Sequence, residues 1–327
     1  MRSTAIIRPH REMAARKCAK RAFNLAAQGM WKRLRPRKNS CPFHQPLQGQ
    51  TSVIRMSEED AIKRTRGMPA TVDSLAADLS SLGVAPGMVL LVHSSLSSLG
   101  WVSGGPVAVI LALEQVLGPR GTLVMPALSG DLSDPARWKE PPVPPDWWGK
   151  IRESMPAFDP EVTPTREVGA VPECFRKQNG VLRSSHPQDS FSARGPKAEA
   201  ITKAHSLEYG FGEKSPLARL YEHDARVLML GTDFLCNSSL HLCEYRASYP
   251  GKRVIKCGSP IFTGTKREWV EYDDLEVSNA DFGSIGEAFI KETGLALRGR
   301  VALAEALLVP QRALVDYGVK WIEKNRR

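Results

Sequence analysis

Residues Met88 to Pro126 read MVLLVHSSLSSLGWVSGGPVAVILALEQVLGPRGTLVMP, and this stretch decides the fold. Met88 to Val92 is a continuous apolar run of the length of a buried strand. Gly105 to Leu117 has helical spacing, with Pro106 in the first turn, where its missing N–H costs nothing, and Gly118 at the end. Gly121 to Pro126 is a second buried apolar run. Two buried strands joined by a helix form a unit whose strands pair in parallel, which puts the chain in the α/β class.

The pattern continues outward from this unit. Thr71 to Leu82 places Val72, Leu75, Leu79 and Leu82 at helical spacing, opens on a capping threonine and stops at Gly83. Arg226 to Leu230 is another buried strand, followed by a loop and a helix near Ser238 to Ala247. Pro126 to Pro187 is rich in Pro, Trp and acids and contains PPVPPDWW over 141–148; a solvent linker does not spend tryptophans this way, so an ordered lid or pocket wall is expected. After Cys257 the pattern is strand-like through Phe262 to Tyr272, and a last helix is expected from about Pro310 to Lys324. No internal repeat is present.

The chain has 327 residues, 42% of them hydrophobic, enough to cover a sheet on both faces. Apolar stretches such as Val102 to Leu117 are broken by Gly and Pro, so no membrane-spanning helix is expected. The net charge of +10 is unevenly placed. Residues 1–55 hold 13 Lys or Arg against the single acid Glu12, a net of +12, which leaves the remainder at −2. The expected organisation is therefore a basic N-terminal extension over 1–55, disordered because high charge with little hydrophobicity does not fold, and a mildly acidic domain over 56–327. For the extension a membrane-surface or targeting helix over Arg16 to Trp31 and a nucleic-acid arm are the competing readings, and Met56 is a candidate start of the functional chain. Cys18, Cys41, Cys174, Cys236, Cys243 and Cys257 form neither a Cys-x-x-Cys pair nor a disulfide framework, which fits a reducing cytoplasm.

Three segments carry chemistry. His93 to Pro106 joins a strand to a helix through Ser and Gly, and its amides with the helix N-terminus make a natural anion site. It lacks the lysine of a Walker loop and the spacing of a dinucleotide fingerprint, which weighs against nucleotide hydrolysis and NAD. In Arg183 to Asp189 the residue His186 precedes Pro187, which favours extended backbone and projection into a cleft, although a structural histidine fits as well. Asn237 to Glu244 opens a helix and places His241 and Glu244 three residues apart on one face, suited to proton transfer, to metal binding with His93 or His186 as further ligand, or to a plain helical ion pair.

Taken together, HSSL at 93–96, Gly104-Gly105, GTLVMP at 121–126, Trp147-Trp148, MPAFDP at 155–160, RSSHP at 183–187, GEKSPL at 212–217 and SLHLCE at 239–244 resemble the aminoglycoside 3-N-acetyltransferases in order and spacing, from about Thr71 to about Arg312. The family commonly has Ala where Cys243 stands, and residues 1–55 have no counterpart in it. The resemblance implies a single α/β domain of the antibiotic N-acetyltransferase type, with a mixed, largely parallel sheet and helices on both faces. It further implies transfer of acetyl from acetyl-CoA to the 3-amino group of a deoxystreptamine ring, with no metal. Carried over by position, Ser94, Ser95, Leu96, Gly104, Gly105 and Pro106 match the CoA-binding loop, and His241 and Glu244 the catalytic helix. His186 is the rival base.

Two physical points agree with that implication. A polycationic acceptor needs carboxylates, for which Asp159, Glu213 and Glu244 are candidates, with Trp147 as a wall of the substrate site. An amine acceptor must also lose a proton, so a base is required. A covalent route through Cys243 is disfavoured, because at i+2 it faces away from His241. The expected partner is a small-molecule aminoglycoside rather than nucleic acid or membrane, acting on a monomer or homodimer. The alternatives are a CoA-dependent N-acyltransferase with a non-antibiotic acceptor, a metal-dependent hydrolase built on His93, His186 and His241, and a nucleic-acid-binding protein driven by the basic extension.

Overall fold

The computed structural model describes residues 58–327; the expectations for residues 1–55 and for Met56 as a start lie outside the described residues. In chain order the elements are α1 (Glu58–Arg64), α2 (Val72–Leu82), β1 (Val89–Ser94), α3 (Gly105–Leu117), β2 (Thr122–Pro126), α4 (Trp148–Ser154), α5 (Ala170–Phe175), β3 (Leu182–Arg183), β4 (Phe191–Arg194), α6 (Ala198–Thr202), α7 (Pro216–Glu222), β5 (Arg226–Leu230), α8 (Ser239–Arg246), β6 (Val254–Thr263), β7 (Lys266–Leu275), α9 (Phe282–Thr293), β8 (Leu297–Val301), β9 (Ala304–Pro310) and α10 (Gln311–Asn325). The local signals act as the sequence suggests. Thr71 Oγ1 accepts from the Ser74 N–H while Ser74 Oγ accepts from the Thr71 N–H, a complete capping box, and Gly83 ends α2 at φ 108°, a conformation that favours glycine.

Seven strands form one sheet in the order β3-β4-β2-β1-β5-β9-β8, and β6 pairs with β7 as a separate antiparallel hairpin. β1 runs parallel to β2, with Val89 opposite Thr122, and parallel to β5, with Ser94 opposite Leu230. The expected parallel character is confined to these three strands, and the four outer pairings are antiparallel. The reason is visible in the connections. A parallel pair needs a long crossover such as α3, whereas β8 returns to β9 through Ala302 and Leu303 alone.

Side chains alternate across this sheet with period two and feed two cores. Leu90 and Val92 of β1 join Leu228 and Leu230 of β5 beneath α2, α3 and α5. Leu91 joins Val227 and Met229 on the opposite face, beneath Leu217, Leu240, Phe282 and Leu314 of α7 to α10. After β1 the chain enters α3 on the first face; after β5 it enters α8 on the second. The carboxyl edge between β1 and β5 is thus where the topology switches sides, the position at which open α/β sheets hold their ligands.

The Pro-Trp segment is ordered, as its composition suggests. The Arg152 guanidinium grips the Asp134 carboxylate through two hydrogen bonds of 2.8 and 3.2 Å. The segment is fastened to the β6–β7 hairpin by the Phe158 N–H donating to the Pro260 carbonyl and Arg267 Nε donating to the Met155 carbonyl. Among the described residues, no helix is long and apolar enough to cross a membrane.

Candidate active site

α8 carries a fully engaged histidine–carboxylate pair. His241 Nδ1 lies 2.7 Å from Glu244 Oε2, and because a carboxylate only accepts, Nδ1 holds the hydrogen and Nε2 keeps the lone pair. Glu244 has no exposed surface. Its other oxygen accepts from the Ser278 N–H at 2.9 Å and from Arg326 Nη1 at 2.6 Å, and Arg326 is itself bound by Asp281. The imidazole is stacked on Phe211 (centroids 5.0 Å, 10°) and met at its edge by Phe282 (4.9 Å). Ring orientation and tautomer are therefore both set by fixed neighbours.

A cavity of about 510 Å³ opens at the end of β1 and is lined by Ser94, Ser95, Leu96, Trp101, Gly105 and Glu167 among others. Gly104 and Gly105 hold φ of 87° and 55°, which turns the chain sharply into α3 and brings the helix N-terminus to this cavity. Ser94 Oγ and Glu167 Oε2 are buried without a hydrogen-bond partner among the described residues, so the cavity offers polar atoms to an occupant. Burial holds the Glu167 carboxyl above the usual carboxylate range, partly offset by Arg166.

His186 occupies a separate, closed constellation. Its Nδ1 accepts from the Gln188 and Asp189 N–H groups at 3.1 and 2.8 Å, which places the hydrogen on Nε2, 3.1 Å from the Leu207 carbonyl. Both ring nitrogens are spent, the residue is 1% exposed, and burial beside His205 holds its pKa well below the usual range. Burial, with Asp274 nearby, holds the Asp189 carboxyl well above its usual range, and its Oδ2 lies 3.5 Å from His186 Nδ1. His186, Asp189 and Asp274 bring potential metal-ligating atoms within 4.8 Å of one another, but His186 has no lone pair to give. The described residues do not gather His93, His186 and His241 into one cluster, which leaves the metal-hydrolase alternative without a site.

Of the other expected site residues, Gly104 and Pro106 shape the α3 N-terminus, while Ser94, Ser95, Leu96 and Gly105 line the cavity itself. Three do not converge on His241. Asp159 Oδ1 is used locally, accepting from the Glu161 and Val162 N–H groups. Glu213 is bound through both oxygens by Arg246 at 2.7 and 3.0 Å. Trp147 stands 57% exposed on the outer wall. Cys243 points into the α10 packing, 3.5 Å from the Val315 carbonyl, and burial raises its thiol pKa far above the range of a nucleophile. Sequence reasoning missed Arg326, Ser278 and Phe282, which reach Glu244 or His241 across long chain separations, and Asp281, which holds Arg326. Phe211 had a detectable signal, since it lies beside the Gly212 motif.

The comparisons with known proteins agree with this geometry. The family model for aminoglycoside 3-N-acetyltransferases matches residues 91–323. The SPbeta prophage-derived aminoglycoside N(3')-acetyltransferase-like protein YokD of Bacillus subtilis is 46% identical over 258 residues, covering 79% of this chain and 94% of that protein. Its crystal structure matches with a TM-score of 0.79 at 44% identity, over 82% of this chain and 98% of that one. Aminoglycoside N(3)-acetyltransferase VII of Streptomyces paromomycinus is 35% identical over 285 residues, 83% of this chain and 97% of its own length. The solved complex of AAC-IIIb with CoASH matches with a TM-score of 0.71 at 37% identity, covering 79% and 97% of the two chains. With the model spanning most of the body and such relatives matched along nearly their whole length, this chain belongs to the aminoglycoside 3-N-acetyltransferase family.

Proposed function

We propose that this chain transfers acetyl from acetyl-CoA to the 3-amino group of the deoxystreptamine ring of an aminoglycoside, and so inactivates the antibiotic. The observation that carries the reading is the oriented His241–Glu244 pair on α8, the helix that follows β5, together with a cavity at the end of the neighbouring β1 that ends on a helix N-terminus. Acetyl-CoA occupies that cavity, its diphosphate met by the amides of the Ser94 to Pro106 turn. A solved relative that binds CoASH supports this choice of co-substrate.

His241 is the general base. Its Nε2 takes the proton from the amine nitrogen as the C–N bond forms, and Glu244 stabilises the imidazolium that results. The proton then passes to the departing CoA sulfur, and acetyl moves directly from sulfur to nitrogen. The mildly acidic body favours a polycation, and the free thiols of Cys174, Cys243 and Cys257 suit a cytoplasmic enzyme.

The test is CoA release over a panel of aminoglycosides, with the acetylated nitrogen located by NMR. Release dependent on a deoxystreptamine aminoglycoside and modified at the 3-amino group is expected. Turnover with simple amines alone would transfer the reading to the related N-acyltransferases with other acceptors.

A further inference from the structure

We propose that His93 is the oxyanion donor of this active site, its ring N–H hydrogen-bonding the thioester oxygen as charge develops there. The proposal rests on the acetyl-transfer reading above. His93 is 5% exposed at the end of β1, and the period-two alternation that sends Ser94 into the cavity sends His93 to the opposite face, toward α8. There the Ser238 N–H at the start of α8 donates to its Nε2 at 3.4 Å. That bond puts the ring hydrogen on Nδ1, which makes no hydrogen bond among the described residues. With the residue 5% exposed and this N–H unmet, the donor is available to a ligand.

The position fits that use. His93 is bonded through one peptide to Ser94, which lines the cavity assigned to the acyl donor, and it lies within electrostatic reach of His241 on the other side. Burial, with a smaller contribution from His241, lowers its pKa to about 3. The ring is therefore neutral at any working pH and keeps a donor hydrogen without adding a second positive charge when His241 is protonated. A neutral imidazole held at a helix N-terminus polarises a carbonyl in this way.

The step balances as follows. The lone pair of the neutral amine forms the C–N bond, the carbonyl π pair moves onto oxygen, and that oxygen accepts the His93 N–H hydrogen bond. His241 removes the nitrogen proton. The carbonyl re-forms, the C–S bond breaks with its pair on sulfur, and the proton held by His241 goes to the thiolate, giving amide and CoASH.

Three variants of the full chain test the assignment. His93→Leu removes both nitrogens; His93→Gln places an amide near Nε2 and can keep the Ser238 contact; His93→Asn places a donor near Nδ1. Leu and Gln should lower kcat by about 10²–10³ with both KM values within two-fold, and Asn should recover at least ten-fold of that loss. Acetyl-CoA labelled with ¹³C at the thioester carbonyl should show a lowered infrared stretch on binding to the wild type and none on binding to His93→Leu. The infrared arm needs no acceptor, so failure of the aminoglycoside reading leaves it readable. An unshifted carbonyl in the wild-type complex, wild-type kcat in His93→Leu, or Gln restoring activity where Asn does not would each overturn the proposal.

Discussion

A carboxylate with no exposed surface is tolerable only when its lone pairs are met, and Glu244 meets them with His241, Ser278 and Arg326. The first of these was legible in the sequence as an i, i+3 pair on one helix. Arg326 was not, because it lies 82 positions away and no local spacing encodes that contact. The same limit explains Glu213, whose charge suggested an acceptor site but whose oxygens belong to Arg246. From this geometry His241→Ala should cut kcat by about 10²–10⁴ while leaving acetyl-CoA affinity nearly unchanged, as steady-state kinetics will show. Arg326→Met strands a buried carboxylate, so a loss of about 3 kcal/mol in denaturant unfolding is expected, together with a lower kcat. By contrast His186→Gln should leave the pH profile unmoved, since both His186 nitrogens are engaged by Leu207, Gln188 and Asp189.

At the scale of elements, the legible parts were those with strong local punctuation. The Met88 to Pro126 unit, α2 with its capping box, β5 and α10 follow from apolar runs, caps and glycines that act within a few residues. The β8–β9 pair and α9 were not anticipated. β8 reads LRGRV with mostly exposed positions, and an edge strand of that kind has no apolar pattern to betray it. The turn into α3 offers the sharpest test of the cavity. A Cβ on Gly105 would meet nothing within 4 Å, and its φ of 55° is one that Asn tolerates. Gly105→Asn should therefore fold, fill the cavity mouth and raise the acetyl-CoA KM at least ten-fold while the acceptor KM stays within two-fold. Equal effects on the two substrates would remove the cavity from acetyl-CoA binding.

For the molecule as a whole, charge and protons set the expectations. His93, His186 and His205 are held below their ordinary range mainly by burial, His93 at about 3 and His205 at about 4. The unfolded chain binds protons on these rings near pH 6.5 while the folded chain does not, so they stabilise the fold at neutral pH and that contribution is lost as pH falls below 6.5. Asp189 and Asp274 act in the opposite sense, since burial raises them and the folded state holds their protons as pH rises past the ordinary carboxylate range. Asp189→Asn should thus gain stability over the wild type at pH 7, with the gain vanishing near pH 3.9, as melting curves across that range will read. The last expectation concerns residues 1–55. Their net charge of +12 opposes a polycationic acceptor. A chain beginning at Met56 should therefore keep its kcat/KM, and at low salt its acceptor KM should fall or hold, because net positive charge has been removed. A ten-fold loss in kcat/KM, about 1.4 kcal/mol in the transition state, would assign the segment to the site. Duplex DNA binding with a steep salt slope, present in the full chain and absent from the shortened one, would give it a separate role as a nucleic-acid arm.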